Sequence, residues 1–342
     1  MMLSDIGYKK FMDQKLKVSI VGATGYTGSE LLRLCLYHPN VEIAFLTSRQ
    51  HESTPVAEIF PRLHDVSDLA VTNTPYETVA EDSDIVFLCL PHVASQEVIE
   101  TFLGKTKIID MSADFRLDDA SVFEAYYKTP HLKPDLLNGD FVYGLPELNL
   151  EALKGADNVA NPGCNALLVQ LMLLPFAAHI DHADVSLFTG TSGGGRKPRD
   201  PIDHPALSGT VRSYQVNEHR HTPEIIRTAQ ITEDKFNFTP TVGPYLRGIF
   251  ATAFIQTKAQ ANLSAYENAP FVRVRDKVAL NDVISTNYCD LSFTQGRGGT
   301  IIVQGAIDNL LRGAAGTAIQ NMNLMFGLKE TTGLKISTPV WP

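Results

Sequence analysis

The segment Asn161-Pro162-Gly163-Cys164-Asn165-Ala166 runs into Leu167 to Leu174, an apolar stretch of helical period, so Cys164 is expected at or near a helix N-terminus. There the partial positive charge of the helix end favours thiolate over thiol, and free backbone N–H groups can receive an incipient oxyanion. The plain structural alternative is a small residue in a tight Pro-Gly turn. A cysteine nucleophile needs a base, and the polar segment from Glu218 to Glu224 offers His219 and His221 two residues apart. Incidental histidines on a surface loop are the alternative reading. His-x-His with no third ligand at a known spacing does not make a metal site, so no metal is expected.

Other segments suit anions. Thr191-Ser192-Gly193-Gly194-Gly195-Arg196-Lys197 combines three glycines, which allow close backbone approach, with two cations. Ser112-Ala113-Asp114-Phe115-Arg116 follows a strand end, and Arg247 stands beside another. Ser112, Arg116, Arg196, Lys197 and Arg247 are therefore candidate ligands of a phosphorylated or carboxylated small molecule. Gly22-Ala23-Thr24-Gly25-Tyr26-Thr27-Gly28 lies between an apolar run and a helical pattern, where a pyrophosphate can meet backbone N–H groups. The GxxGxxG spacing departs from the commoner GxGxxG, and a simple tight turn is its alternative. The next strand ends in Thr47-Ser48-Arg49 instead of the acidic residue usual for NAD, so Ser48 and Arg49 suit the 2′-phosphate of NADP(H).

The elements that must hold these residues follow from periodicity. Apolar runs at Leu16 to Val21, Val41 to Leu46, Ile85 to Leu90 and Lys107 to Asp110 alternate with helical patterns at Ser29 to Tyr37 and Ala94 to Phe102. Such alternation predicts a parallel sheet covered on both faces. Cys35 and Cys89 fall inside these elements and are expected to be inert core residues. Beyond Asn161, longer strands are expected at Val185 to Thr189, Asn237 to Val242, Gly248 to Gln256, Asn287 to Phe293 and Thr300 to Gln304. A helical pattern from Asn309 to Phe326 is expected to return to the first domain. The fold class is thus α/β, a Rossmann-like doubly wound parallel sheet plus an α+β catalytic and oligomerisation domain. The divisions are 16–162, 163–308 and a returning helix at 309–330.

A chain of 342 residues suits two domains, and 44% hydrophobic with 20% charged residues is ordinary for a globular protein. The formal net charge of -9 argues against nucleic acid, which requires a basic face. The first fifteen residues hold no apolar core of signal-peptide length and no later stretch approaches a membrane span, so a cytoplasmic protein with a floppy or surface-docked N-terminal tail is expected. Four separated cysteines, with no CxxC pair, speak against a zinc site or a disulfide framework.

Taken together, GATGYTGSELLRL, MSADFR, YGLPEL, NPGCN, TSGGGRKP, HRHTPEI, LRGI, NYCD and AIDNLLRGAAGTAIQ resemble, in order, the N-acetyl-γ-glutamyl-phosphate reductases, relatives of aspartate-semialdehyde dehydrogenase. The resemblance implies NADPH-dependent reduction of an acyl phosphate through a thioester on Cys164, with His221 the base and His219 beside it. It implies Arg116 as a phosphate ligand, Gly22, Thr24, Gly25, Tyr26, Thr27 and Gly28 around the dinucleotide phosphates, and Asn309 on the nicotinamide side. Pro91, Ser192 and Gly193 fall on the cofactor side as well. A homo-oligomer, dimer or tetramer, is implied, and channelling from the upstream kinase stays open. One departure is Asn165, where many arginine-pathway members have an aromatic residue; Cys-Asn-Ala is more similar to lysine-pathway relatives that reduce an aminoadipyl phosphate on an acidic carrier. Gly195-Arg196-Lys197 resembles the arginine-pathway form, and the negative chain offers an acidic carrier no global attraction. Aspartate-semialdehyde dehydrogenase activity and a non-catalytic NADP-binding sensor are the further alternatives.

Overall fold

The computed structural model describes residues 15–196, 207 and 209–335. The expectations placed on Lys197 and on most of the N-terminal tail lie outside the described residues. Eight strands form the first sheet: β1 Leu16–Val21, β2 Val41–Thr47, β3 Thr54–Pro55, β4 Ala70–Thr72, β5 Ile85–Leu88, β6 Lys107–Asp110, β7 Val142–Tyr143 and β8 Asn158–Ala160. Their order is β3-β4-β2-β1-β5-β6-β8-β7, and every pairing except β3 with β4 is parallel. The order reverses about β1, with β2 on one side and β5 on the other, so the loops after these strands flank a crevice at their carboxyl ends. All four residues of β5 are buried, as a strand covered on both faces requires.

The second sheet contains β9 His182–Thr189, β10 Arg212–Ser213, β11 Phe236–Val242, β12 Ile249–Gln256, β13 Val272–Val274, β14 Cys289–Gln295 and β15 Thr300–Ile307. It is mixed, in the order β10-β11-β9-β12-β15-β14-β13. The strands β9 and β12 alternate buried and open residues, so one face packs on a core and the other does not. On the packed side lies the helix Cys164–Leu173, in which every residue after Cys164 is buried. An all-round apolar helix of this kind is held by its surroundings, which fixes where its N-terminus points. The two-sheet α/β architecture is the one the alternating apolar runs predict.

The last helix among the described residues, Gly316–Met325, packs against the first sheet and the helix Tyr26–Leu36. Asn321 in it donates through Nδ2 to the Gly144 carbonyl at 2.9 Å and to Asn161 Oδ1 at 3.2 Å, tying this helix to the turn before Cys164. One local expectation needs correction: residues 311–315 form a π-turn, not the start of a regular helix. Its cause is visible in Arg312, fully buried against Glu147, and in Thr317 Oγ1, which donates to the Arg312 carbonyl. The widened turn brings Gly313 to Cys164, where a Cβ would lie 2.8 Å from Cys164 Cβ.

Candidate active site

Cys164 is the first residue of its helix, and Gly163 caps it without a side chain. A cleft of about 520 Å3, within the usual range for small-molecule sites, is lined by Cys164, His219 and His221 together with Asn165, Arg220 and Tyr214. His221 packs on the backbone just ahead of the thiol: a Cβ on Gly163 would meet its Nε2 at 2.4 Å. Burial, then the neighbouring His219, hold the His221 imidazolium far below its usual range, and burial followed by Arg220 pushes His219 down to about 3. Both rings are therefore neutral at physiological pH, the form in which a base can act.

The thiol behaves differently from the sequence-based expectation. Burial pushes the Cys164 thiol up, and Arg116, the Asn165 backbone N–H and Arg220 pull it only part of the way back. The resting protein therefore carries a thiol that needs a base, so the helix end alone does not make the nucleophile. Asn165 stands between the partners. Its Oδ1 is 3.7 Å from Cys164 Sγ, and its other amide atom is 3.5 Å from both Tyr214 Oη and His219 Nε2. His219 Nδ1 accepts the His221 backbone N–H at 3.1 Å, which puts the proton of the neutral ring on Nε2. The amide orientation that suits this donor has its oxygen toward His219 and its NH2 toward the sulfur.

Beneath the cleft lies a buried polar cluster. Glu224 Oε2 accepts from Tyr143 Oη at 2.7 Å and from the Gly163 backbone N–H at 3.0 Å, while Oε1 faces Arg116 Nη1 at 3.5 Å. Arg116 also donates to the Asn161 carbonyl at 2.7 Å and the Met111 carbonyl at 3.0 Å. Arg116 and Glu224 thus clamp the Asn161-Pro162-Gly163 turn from two sides. Three sequence-based assignments change. Ser112 is buried, donating to Asp110 Oδ2 at 2.6 Å and accepting from the Asp114 N–H, so its hydroxyl serves the loop and faces no ligand. Arg247 pairs with Glu30 at 2.8 Å and Asp308 at 2.6 Å, outside the cleft lining, which consumes the charge proposed for substrate. Cys89 lines the cleft as a half-buried residue and is not a closed core position.

A second cavity of about 920 Å3 continues the cleft through Gly25, Pro91 and Arg196 to Gly22, Thr24, Ser48 and Arg49. The helix Tyr26–Leu36 starts here with Gly25 at its cap and no side chain on its free N–H groups. Gly22 has φ +82° and Gly28 sits where a Cβ would be 2.5 Å from the Gly22 carbonyl oxygen, so strand and helix meet too closely for side chains. At Gly25, by contrast, the nearest atom to a Cβ is 3.8 Å away, an open backbone cradle of the kind a pyrophosphate fills. Ser48 Oγ lies 3.3 Å from Thr24 Oγ1, Arg49 is exposed at the rim, and Arg196 donates to the Thr24 carbonyl at 2.8 Å. Hydroxyls and two guanidinium groups fit a phosphorylated ribose. Asn309 is held in the cleft wall, accepting from the Gly248 N–H at 2.7 Å and donating to Ser192 Oγ at 2.9 Å. Tyr26, Thr27, Ser192 and Gly193 line the cleft on the same side.

The sequence profile described as "Semialdehyde dehydrogenase, NAD binding domain" matches residues 17–156, and "Semialdehyde dehydrogenase, dimerisation domain" matches residues 164–309. The chain belongs to the semialdehyde dehydrogenase family. It is an NAD(P)-dependent oxidoreductase of that type. Among semialdehyde dehydrogenase relatives, a putative LysW-linked L-2-aminoadipate or L-glutamate phosphate reductase of Pyrococcus furiosus is 43% identical over 340 residues, covering 96% of this chain and 99% of that protein. The N-acetyl-gamma-glutamyl-phosphate reductase of Magnetococcus marinus is 39% identical over 351 residues, covering 97% and 100%. That of Methanopyrus kandleri is 40% identical over 336 residues, covering 93% and 97%. The solved structure of aspartate semialdehyde dehydrogenase II from Vibrio cholerae shares the fold, with a TM-score of 0.68, 16% identity and coverage of 92% and 99%.

For a semialdehyde dehydrogenase, the residues that sequence reasoning left without a role are Glu224, Tyr143, Tyr214 and Arg220. Glu224 lies in the first turn of the helix Thr222–Ala229, where an acidic residue is common for reasons of helix electrostatics alone. Nothing in its spacing signals that it reaches Gly163. No helix among the described residues is long and apolar enough to cross a membrane.

Proposed function

We propose that this protein is an NADPH-dependent reductase that converts N-acetyl-γ-glutamyl phosphate to N-acetylglutamate semialdehyde and phosphate in arginine biosynthesis. The observation that carries the chemistry is the contact between a neutral His221 and the Gly163 backbone immediately ahead of Cys164. The near-full-length relatives bearing the N-acetyl-gamma-glutamyl-phosphate reductase name support the choice of substrate. His221 takes the proton of the raised thiol, and Cys164 Sγ attacks the acyl carbon. The carbon–oxygen bond to phosphate breaks, the electron pair leaves with phosphate, and a thioester remains. A bound NADPH supplies the reducing equivalents, and Gly25, Thr24, Ser48 and Arg49 would hold it. As the aldehyde forms, the carbon–sulfur bond breaks with its electron pair going to sulfur, a better leaving group than an alkoxide, and His221 returns its proton to that sulfur to restore the Cys164 thiol. General acid–base work of this sort contributes about 10²–10⁴-fold.

The preference for NADPH over NADH rests on Ser48, Arg49 and Arg196 at the end of β2 and beside it. A cytoplasmic location suits four unpaired cysteines. A homo-oligomer joined through the open face of the second sheet suits Phe188 and Phe254, both exposed there, and a monomer in sedimentation at micromolar concentration would remove this part of the reading. A second reading, reduction of a carrier-linked aminoadipyl phosphate, is favoured by Asn165 after the nucleophile and by the Pyrococcus furiosus relative.

Two measurements test the proposal. With acyl phosphate and no NADPH, acid-quenched protein should carry the acyl group on Cys164 by mass spectrometry, and Cys164→Ser should lose nearly all turnover while binding NADPH. An acyl group elsewhere would refute the mechanism. Phosphate-dependent NADP reduction should be fastest with N-acetylglutamate semialdehyde; a higher kcat/KM with carrier-linked aminoadipate semialdehyde would select the second reading, and with aspartate semialdehyde would refute both.

A further inference from the structure

We propose that Arg312 is a positioning residue for the reaction: paired with Glu147, it holds residues 311–315 in a π-turn whose Gly313 backbone sets the direction of the Cys164 side chain. The proposal rests on the reading of Cys164 as the nucleophile and adds the part of the fold that aims it.

Three backbone bonds define the turn, each spanning one residue more than an α-helix does. The N–H groups of Gly313, Ala315 and Gly316 donate to the carbonyls of Asp308, Leu310 and Leu311, the first two at 2.9 Å. Arg312 lies inside the turn, and both arms of its guanidinium are used: Nη2 pairs with Glu147, and Nη1 donates to Gln320 Oε1 at 2.6 Å. Thr317 Oγ1 closes the turn, donating to the Arg312 carbonyl and standing 3.4 Å from Nη1. Two contacts then reach the cleft. The Ala314 carbonyl accepts from Asn161 Nδ2 at 3.3 Å, and a Cβ on Gly313 would be 2.8 Å from Cys164 Cβ and 3.4 Å from its Cα. With that side of Cys164 closed, Sγ points toward the Asn165 carboxamide, 3.7 Å away. An α-helical turn over the same residues would carry Gly313 and Ala314 to other bearings about the axis and open this contact.

Stability alone does not account for the pair. The Arg312 and Glu147 side chains are 0% and 1% exposed, and desolvating two charges offsets most of their attraction. The turn and the helix after it bury Leu311, Ala315, Ala318 and Ile319 in the apolar core, where apolar side chains in place of the pair would also pack. Apolar residues cannot supply direction. The guanidinium fork ties Arg312 to Glu147 on the helix Pro146–Leu153 and to Gln320 on the helix Gly316–Met325, and so fixes the register of the turn.

The test compares stability with the rate of acylation. Arg312→Met combined with Glu147→Met removes both charges and keeps the bulk, and its unfolding midpoint should lie no more than about 3 °C below that of the wild type. With saturating N-acetyl-γ-glutamyl phosphate and no NADPH, acid-quenched samples of this variant should show Cys164 acylated about 10–100-fold more slowly by mass spectrometry, the scale of a misaimed nucleophile. The dissociation constant for NADPH should move less than about twofold. Thr317→Val removes only the hydroxyl that ties the turn and should slow acylation about 3–10-fold, the scale of one hydrogen bond. This milder variant decides the case if the double variant does not fold. A wild-type acylation rate in either folded variant overturns the proposal, as does a loss of NADPH affinity larger than the loss of acylation rate, which would assign the turn to the cofactor. An acyl group on a residue other than Cys164 in the wild type would remove the underlying reading, and this proposal with it.

Discussion

His221 Nε2 occupies the space that any side chain on Gly163 would need, at 2.4 Å from the Cβ position. His221 and the residue before Cys164 are in contact, so the glycine in Asn-Pro-Gly-Cys is required by a ring from another segment as well as by its turn. Gly163→Ala should displace the imidazole and lower kcat by at least about 100-fold, the scale of an ångström-sized misplacement. The expected cost in stability is about 1–3 kcal/mol, so the variant should fold and bind NADPH. Wild-type kcat in this variant would show that His221 is not the base.

Glu224 is the anchor under that contact, accepting from Gly163 and Tyr143 and facing Arg116. Glu224→Gln keeps the shape and removes the charge opposite a buried guanidinium. Loss of one partner of a buried pair costs about 3–5 kcal/mol, and the 3.5 Å separation places this pair near the lower end. The midpoint of thermal unfolding should fall by roughly 6–12 °C. A shift under 2 °C would mean that Arg116 finds its counter-charge elsewhere.

Acid should destabilise the protein through the paired histidines. Their folded values lie below the ordinary 6.5, at about 3 for His219, because burial penalises the imidazolium. Below pH 6.5 the unfolded chain takes up protons on these rings and the native chain does not. Their contribution is therefore complete above pH 6.5 and lost on acidification toward pH 3, at up to about 1.4 kcal/mol per pH unit for each ring. Asp110, raised to about 6 by burial and by Asp114, acts in the opposite direction between pH 6 and 3.8. The comparison of His219→Gln with wild type isolates the histidine share: the fall in unfolding midpoint between pH 7 and pH 5 should be smaller in the variant. An equal fall would place the acid sensitivity in other groups.

Arg49 stands exposed at the rim of the cavity, next to Ser48 and across from Arg196. Arg49→Asp should reduce the ratio of kcat/KM for NADPH to that for NADH by at least about 10-fold, the size of one lost charge-assisted hydrogen bond. An unaltered ratio would move 2′-phosphate recognition to Arg196.

Much of the architecture is legible in one dimension because its determinants are local. The strand Lys107–Asp110 and the helix Ala94–Phe102 fall where the apolar runs and helical period put them. The first helix and the helix Cys164–Leu173 begin within a few residues of their expected starts, since glycine turns interrupt the pattern just ahead of each. Cys164, the two histidines and the glycine turn stand out in the sequence for a similar reason, each being a particular residue type in a short segment, and the structure brings them to one cleft.

Charge balance and close contact are not local, and there only the tertiary structure decides. Arg116, Arg247 and Arg220 look alike in sequence, yet two meet buried carboxylates brought from distant segments and Arg220 meets none among the described residues. Ser112 turns inward to Asp110, and Cys89 becomes a cleft wall, through loop geometry that no spacing encodes. The π-turn at Leu311–Ala315 depends on Arg312 finding Glu147, 165 positions away. The sequence by itself determined which chemistry is on offer, because that depends on residue type. Which charges remain free to meet a ligand was decided by folding, because a side chain's field is set by the neighbours that desolvate and neutralise it.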